Sequence, residues 1–149
     1  MKPIRIQRKR TKGWRMPENT VYVGRGSVWG NPYYAHRGEC PNCGTVKWFV
    51  QKTPLENSGK PYPINRIYDE IESAHDTKVD AIEEAVKRYR WHADRLDMAN
   101  KKYNKDCYYK KDRLPVLSDI KGKNLSCWCK LSDSCHADIL LELANQEEK

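Results

Sequence analysis

The sequence predicts an α/β protein, a small compact sheet flanked by helices in a Rossmann-like layering. Two observations predict this class. Short runs rich in β-branched and aromatic residues alternate with helical patterns along the chain, and no internal repeat interrupts that order. The length of 149 residues fits a single domain over residues 1–149.

The first elements are two strands and a glycine-rich loop. Residues 4–10 begin with alternating apolar and polar side chains, and residues 20–23 are a second run typical of strands. Residues 24–32 contain three glycines, an asparagine and a proline, so we expect a loop with unusual backbone angles. A loop that follows a strand is where α/β folds bind ligands.

Residues 36–65 are predicted to be an insertion, with a zinc-knuckle-like hairpin at 36–50 and a flexible linker at 51–65. Cys40 and Cys43 have the spacing of a zinc knuckle, and Gly44 after them permits the tight turn that such a knuckle needs. Two further ligands would complete a tetrahedral site. The candidates are Cys107 first, and then His36, His75 and His92. We expect such a zinc to be structural, because this segment has few apolar residues.

Two helices and one further strand complete the prediction. A helix over about 78–97 has apolar residues at spacings of three and four, and Thr77 with Asp80 can cap its start. Its predicted buried stripe is Val79, Ile82, Val86, Tyr89, Ala93 and Leu96. A closing helix runs from about 134 to 145, capped by Asp133 or Ser134. Its predicted buried face is Ala137, Leu140, Leu141 and Ala144. Between them, residues 124–129 form a short buried strand that places Cys127 and Cys129 on one face.

The charge distribution favours an anionic partner. The net charge is +8, and residues 1–15 contain seven basic residues and no acidic one. Residues 101–113 add a second basic cluster with interleaved tyrosines. We therefore expect phosphate on a nucleotide or nucleic acid as the ligand. The alternative is that both clusters are solvated surface, or that the first 12 residues are a disordered arm. The alternation after Ile4 and the presence of Trp14 favour an ordered strand.

Composition also excludes some classes of protein. Mean hydropathy is -0.94, and no apolar stretch approaches the roughly 20 residues that a membrane span needs. The first residues lack the apolar run of a secretory signal, so we expect a cytoplasmic protein with no membrane partner. In a cytoplasmic protein, its six cysteines are expected to be free thiols or metal ligands rather than disulfides. The sequence leaves the oligomeric state open.

The candidate phosphate- and base-binding residues lie in the basic segment and in the glycine-rich loop. They are Arg8, Arg10, Trp14, Arg15, Gly24, Arg25, Gly26, Ser27, Trp29 and Asn31. Exposed glycine amides and arginines could receive a phosphate, while Trp29 could stack on a base or ribose. The alternative is a structural turn in which Trp29 simply packs.

The start of the closing helix is the candidate catalytic site. Amides at a helix N-terminus favour an anion, so His136 could act as general acid and base with Asp138 orienting it. Cys135 is a weaker candidate, as a nucleophile. One alternative makes the cysteines small buried hydrophobes and His136 a satisfied helix cap. Another makes Cys127, Cys129, Cys135 and His136 a zinc site, in which the two adjacent ligands would strain a tetrahedron.

Two motifs carry a resemblance to a known family. Residues 8–14, 21–25 and 29–32, together with the cysteine–histidine segment 121–140, resemble the uncharacterised bacterial and phage family named domain of unknown function 4326. The resemblance implies a small α/β domain in which the two motifs meet, and no established reaction. Cys40, Cys43 and the stretch after them look like an addition to that family's core.

The leading functional hypothesis is a protein, encoded by a phage or a bacterium, that acts on a nucleotide, nucleoside or nucleic acid. It would hydrolyse or transfer at a glycosidic or phosphoryl centre. The alternative is a non-catalytic, zinc-stabilised basic module that binds nucleic acid or sequesters a nucleotide. A third hypothesis is a factor that binds an acidic host protein. The first requires Arg25 and His136 to share one anion-receiving hollow.

Overall fold

The computed structural model describes residues 2–40, 43–52, 71–106 and 114–146, and it confirms the α/β class. Its strands form two three-stranded sheets rather than one. The elements are β1 (Arg5–Gln7), β2 (Thr20–Tyr22), β3 (Tyr33–Glu39), β4 (Val46–Lys52), β5 (Ile71–His75), α1 (Lys78–Asp106), a 3-10 helix (Leu117–Ile120), β6 (Asn124–Cys127) and α2 (His136–Ala144).

The first sheet is parallel, in the order β1-β6-β2. Leu125 of β6 stands in register with Arg5 on one side and with Val21 on the other. Because all three strands run the same way, the loops that follow them leave from one edge of the sheet, called here the carboxyl edge. β1 is shorter than the predicted 4–10, since after Arg8 the chain turns through Gly13, which has a φ of 82°.

The second sheet is antiparallel, in the order β3-β4-β5. The predicted hairpin is present as β3 and β4, and its turn is closed where Cys40 N donates to Thr45 O at 2.8 Å. The predicted start of the linker at residue 51 is too early, because Gln51 and Lys52 belong to β4. Its remainder, residues 53–65, lies outside the described residues. β5 has no counterpart in the sequence-based prediction.

Helix α1 packs against the antiparallel sheet and against α2. Its first half buries Ala81 and Ala85 beside Tyr33 and Val50 of the antiparallel sheet. Its middle buries Tyr89 and Ala93 in a core shared with the parallel sheet and α2. The predicted stripe is therefore partly wrong: Val79 is 63% exposed, and Ile82 and Val86 are only half-buried. Alanine allows the closer approach of helix and sheet, so the alanine face is the one that turns inward.

The end of α1 extends past the predicted residue 97 because its polar side chains hold the following segment. The carboxylate of Asp97 accepts from Leu117 N at 2.6 Å, and Asn100 Nδ2 donates to Pro115 O at 2.7 Å. These buried contacts anchor the chain that leads into the 3-10 helix and β6. The predicted start of α1 is confirmed, with Asp80 N donating to Thr77 Oγ1 at 3.1 Å.

Helix α2 begins later than predicted, and its N-cap is Cys135 rather than Asp133 or Ser134. The Sγ of Cys135 accepts from Ala137 N at 3.5 Å. Ala137, Leu140 and Ala144 are buried as predicted, whereas Leu141 is only half-buried. Within the described residues, neither helix is long and apolar enough to cross a bilayer.

Candidate anion and metal site

The carboxyl edge brings together the two distant segments that the sequence singles out. Arg8 follows β1, Arg25 comes shortly after β2, and Cys127 ends β6. His136 Nε2 lies 2.6 Å from Val23 O, which joins the start of α2 to the end of β2. Burial lowers the pKa of His136, and the nearby charges of Arg25 and Arg5 lower it further. Arg25 and His136 therefore lie at the same end of the protein.

Three thiols form the most compact cluster of potential metal ligands in the described part of the chain. The sulfur atoms of Cys127, Cys129 and Cys135 all lie within 4.8 Å of one another. Cys127 Sγ and Cys129 Sγ are 3.6 Å apart. Cys127 and Cys135 are buried and Cys129 is half-buried. Three thiolates at this spacing can hold a soft or borderline metal ion.

Contacts among the three thiols shift their pKa values in opposite directions. Contacts with Cys129 and then Cys135 lower the pKa of Cys127, and the pKa values of the other two are raised chiefly by their contacts with this cluster. Ionisation of one thiol in the cluster is thus favoured by its contacts with the other two. The five described cysteines are free thiols, in keeping with the sequence-based interpretation.

Arg5 holds the loop that carries two of these cysteines. Its guanidinium donates to the carbonyl oxygens of Lys130, Leu131 and Asp133 at 3.2, 2.6 and 3.0 Å. Nη1 also lies 2.9 Å from Oδ2 of Asp138. The Arg5 side chain is only 8% exposed. By its sequence Arg5 is one of seven basic residues in the first 15, and strand alternation gives no sign that its side chain, rather than that of the 58% exposed Ile4, turns inward.

Cationic and aromatic side chains alternate along the carboxyl edge. The guanidinium carbon of Arg8 lies 4.6 Å from the ring centre of Tyr22 and 4.8 Å from that of Trp128. Arg10 lies 5.1 Å from the same Trp128 ring, which is 41% exposed. Nε of Arg8 is buried and has no hydrogen-bond partner among the described residues. Neither Tyr22 nor Trp128 was among the sequence-predicted site residues.

The glycine-rich loop corrects part of the predicted ligand set. Trp29 is only 3% exposed and belongs to the core, so it cannot stack on a base. Ser27 Oγ donates to Gly24 O at 2.7 Å. Asn31 Nδ2 donates to Ala85 O at 3.2 Å. These polar groups hold the loop rather than a ligand.

Other predicted ligand residues remain accessible. Arg25 is exposed over the ring of Tyr34, at 5.3 Å from its centre. Gly26, with a φ of 87°, is exposed beside it. Arg10 and Arg15 are exposed and Trp14 is half-buried. The accessible part of the predicted set is therefore mainly its arginines.

His136 and Asp138 do not form the predicted acid–base pair. Both imidazole nitrogens face other groups: Nε2 contacts Val23 O, and Nδ1 lies 3.8 Å from Cys135 Sγ. Asp138 pairs with Arg5 instead. His136 is 5% exposed and its ring packs edge-on against Tyr89, with ring centres 5.0 Å apart. The expectation that Asp138 orients His136 is wrong, because the Asp138 carboxylate forms an ion pair with Arg5.

The predicted zinc knuckle lies at the turn between β3 and β4, and its two cysteines are not part of the three-thiol cluster. Cys40 follows β3, and Cys43 Sγ lies 2.9 Å from Thr45 Oγ1. Contacts with Thr45 lower the pKa of the exposed Cys43 thiol. Gly44 has a φ of 71°, so the glycine does provide the predicted tight turn. The third proposed ligand, Cys107, lies outside the described residues.

Among the described residues, arginines of the carboxyl edge line neither of two cavities that are open to solvent. The larger, about 410 Å³, lies between the antiparallel sheet and α1, and Tyr33, Lys52, Glu72, Arg88 and Trp91 line it. The smaller, about 120 Å³, lies between the first turns of α1 and the loop at 132–134. The shared hollow expected for Arg25 and His136 is neither of these two.

Fold and site together define an α/β protein with a thiol cluster and a basic, aromatic rim at the carboxyl edge of its parallel sheet. The model of the family described as domain of unknown function (DUF4326) matches residues 6–146. The chain belongs to this family, as its two motifs predict. Comparisons with curated proteins and with solved structures gave no match.

Proposed function

We propose that this protein binds single-stranded nucleic acid across the carboxyl edge, and that a zinc ion held by Cys127, Cys129 and Cys135 stabilises this edge. The observation that carries the proposal is the position of Arg8 and Arg10 against the exposed ring of Trp128. Proteins that bind single strands combine guanidinium groups that follow the phosphates with aromatic rings on which bases stack.

The charge of the edge supports a polyanionic ligand. Arg8, Arg10 and Arg25 lie on the loops after β1 and β2, and further basic residues continue along the first 15 residues. The buried, unpartnered Nε of Arg8 adds a donor without an acceptor. The arginines lie on an open surface, outside both described cavities. A surface that offers several cations in a row suits a chain of phosphates better than one mononucleotide.

The proposal is one of binding rather than catalysis. His136 is buried, and its ring nitrogens face Val23 O and Cys135 Sγ. Asp138 is paired with Arg5. A general acid or base must reach the proton that it transfers, and the contacts of this imidazole leave it no route to a ligand on the edge.

Zinc is the metal that the ligand chemistry favours. Thiolates select zinc, copper(I) or iron–sulfur clusters. Tetrahedral zinc with Zn–S bonds of about 2.3 Å sets sulfur atoms about 3.8 Å apart, close to the 3.6 Å between Cys127 and Cys129. The ion would tie the end of β6 to the N-cap of α2.

Fluorescence anisotropy of labelled single-stranded oligonucleotides over a series of salt concentrations tests the nucleic-acid part. If three arginines each neutralise one phosphate, the logarithm of the association constant should fall with the logarithm of salt at a slope of about -2. Arg10→Ala and Arg25→Ala should each make the slope shallower by about 0.7. Arg37→Ala, which removes the same charge from β3, is the matched control and should leave the slope unchanged.

Competition separates the possible phosphate ligands. An unlabelled single strand should displace the probe, whereas a mononucleotide or a duplex of equal phosphate concentration should compete weakly. Displacement by a mononucleotide at comparable concentration would overturn the proposal in favour of a nucleotide-binding protein. A single strand that fails to bind at low salt would reject nucleic-acid binding outright, whatever metal the protein contains.

A further inference from the structure

The hydrogen bond of His136 fixes which of its nitrogens can accept or coordinate. A carbonyl oxygen is only an acceptor, so Nε2 must donate its proton to Val23 O across 2.6 Å. In a neutral imidazole the other nitrogen, Nδ1, then carries the free lone pair. That lone pair lies on the side of Cys135, 3.8 Å from its sulfur. Metal-binding histidines show this arrangement, in which the nitrogen that does not bind the metal donates to a carbonyl or carboxylate.

The spacing suits a shared metal ion. Tetrahedral zinc with bonds of about 2.3 Å to sulfur and about 2.0 Å to nitrogen places these two ligand atoms about 3.6 Å apart. The observed 3.8 Å between Cys135 Sγ and His136 Nδ1 is close to this spacing. The backbone of Cys135 between the two side chains is extended, with φ -144° and ψ 140°.

We propose that Nδ1 of His136 is the fourth ligand of this metal, which completes a closed site of three thiolates and one imidazole. The inference rests on the proposed zinc at the three cysteines and adds the ligand that they lack. Nδ1 adjoins the three-sulfur cluster through Cys135. His136 lies outside the group of ligand atoms within 4.8 Å of one another, so zinc binding would have to bring its ring closer to Cys127 and Cys129.

Burial and chemistry favour the imidazole over water as fourth ligand. His136 and Cys135 are 5% and 1% exposed, and Tyr89 packs edge-on against the imidazole ring. A thiolate that binds a metal has no proton to donate to Nδ1, so without a bond to the metal the lone pair of this buried nitrogen would face the electron pairs of Cys135. Unpaired buried polar atoms of this kind are costly. Coordination removes the conflict, and a closed set of four protein ligands is typical of structural zinc.

X-ray absorption spectroscopy of the full-length protein, loaded with one equivalent of zinc, tests the ligand set. We expect three sulfur atoms at about 2.3 Å and one nitrogen at about 2.0 Å, with the outer-shell scattering of an imidazole ring. This wild-type spectrum is decisive even if variants fail to fold. Three sulfurs with a light atom that lacks imidazole scattering would overturn the inference and leave zinc at the cysteines intact.

Two variants identify the histidine. His136→Gln should lose the imidazole scattering and bind zinc at least about tenfold more weakly, the lower end of what the loss of a supporting group costs. His136→Cys should restore tight binding with four sulfurs. His92→Gln, which removes a half-buried histidine that also contacts the Tyr89 ring, is the matched control and should keep the wild-type spectrum. Imidazole scattering that persists in the glutamine variant would reject His136.

The outcomes separate this inference from the proposed function. If the protein takes up no zinc, both the proposed zinc site and its fourth ligand are refuted. Oligonucleotide binding is still tested, because it is measured independently of the metal. A protein that binds zinc through three thiolates and one imidazole but ignores nucleic acid supports the inference and refutes the binding proposal.

Discussion

His136 donates its Nε2 proton to the carbonyl oxygen of Val23 across 2.6 Å. This bond links the first residue of α2 to the residue that follows β2, which are 113 positions apart in the chain. Beside it on one side lies the thiol cluster, and on the other begins the loop that carries Arg25. A metal that orders the imidazole therefore also orders the start of that loop.

Metal removal should loosen the carboxyl edge. At a free zinc concentration 100 times its dissociation constant, the ion stabilises the fold by about 2.7 kcal/mol. A chelator should therefore lower the melting temperature, and added zinc should restore it. Hydrogen exchange should show faster exchange in the chelated protein at Val23 N, which donates to Ser126 O at 2.9 Å. Equal melting temperatures with and without chelator would contradict metal stabilisation.

Arg5 should be far more important for stability than its neighbours in the basic segment. Arg5→Ala leaves the carboxylate of Asp138 and three carbonyl oxygens without their donor, so we expect a loss of about 3 kcal/mol in the free energy of unfolding. The matched control is Arg90→Ala, which breaks an exposed pair with Glu142 and should cost less than about 1 kcal/mol. Urea denaturation measures the free energy of unfolding of both variants. Similar losses would show that Arg5 does not stabilise the loop that contains Lys130, Leu131 and Asp133.

The two tryptophans near the edge should behave in opposite ways. Trp29→Ala empties a core position that is 3% exposed and should cost about 3–5 kcal/mol of stability. Trp128→Ala removes a ring that is 41% exposed and should cost much less, while it weakens single-strand binding by about 1–3 kcal/mol. Calorimetry and anisotropy on both variants check the pair. Unchanged oligonucleotide affinity in Trp128→Ala would show that no base stacks on this ring.

Acid should destabilise the protein partly through His92. Burial, and then the charge of Lys52, lowers the pKa of His92 below that of an unfolded histidine, about 6.5. As the pH falls below that value, the unfolded chain takes up the proton first, so the free energy of unfolding decreases. His92→Gln should make this decrease shallower between pH 7 and pH 5. Denaturation at several pH values measures the slope, and a slope equal to wild type would reject the role of His92.

The sequence predicted most of the local elements because their signals are local. The threonine–aspartate pair at 77 and 80 marks the start of α1, and Gly44 marks the hairpin turn. The predicted α1 stripe was partly wrong because apolar spacing alone does not tell which of two neighbouring helix faces meets the sheet. The small residues Ala81 and Ala85, which turn inward, carry little hydropathy signal.

The site needed information that no local pattern contains. Sequence spacing brought Cys127 and Cys129 together, but it favoured Cys40 and Cys43 as the metal ligands. Asp138 was assigned to His136 from helix spacing, whereas a strand 133 residues earlier supplies its actual partner, Arg5. Trp29 was predicted to contact a ligand because it lies in a glycine-rich loop, but its ring packs in the hydrophobic core.

The α/β class, the hairpin and the start of α1 could be predicted from the amino-acid sequence, since periodicity and capping residues are local signals. The resemblance carried by the two motifs gave the family and implied that the motifs meet in the fold. Tertiary structure alone decided the division into two sheets, the inward position of Arg5 and the exposure of Trp128. Those depend on which side chains compete for the same buried space after the parallel strands align, and that competition involves residues more than 100 positions apart.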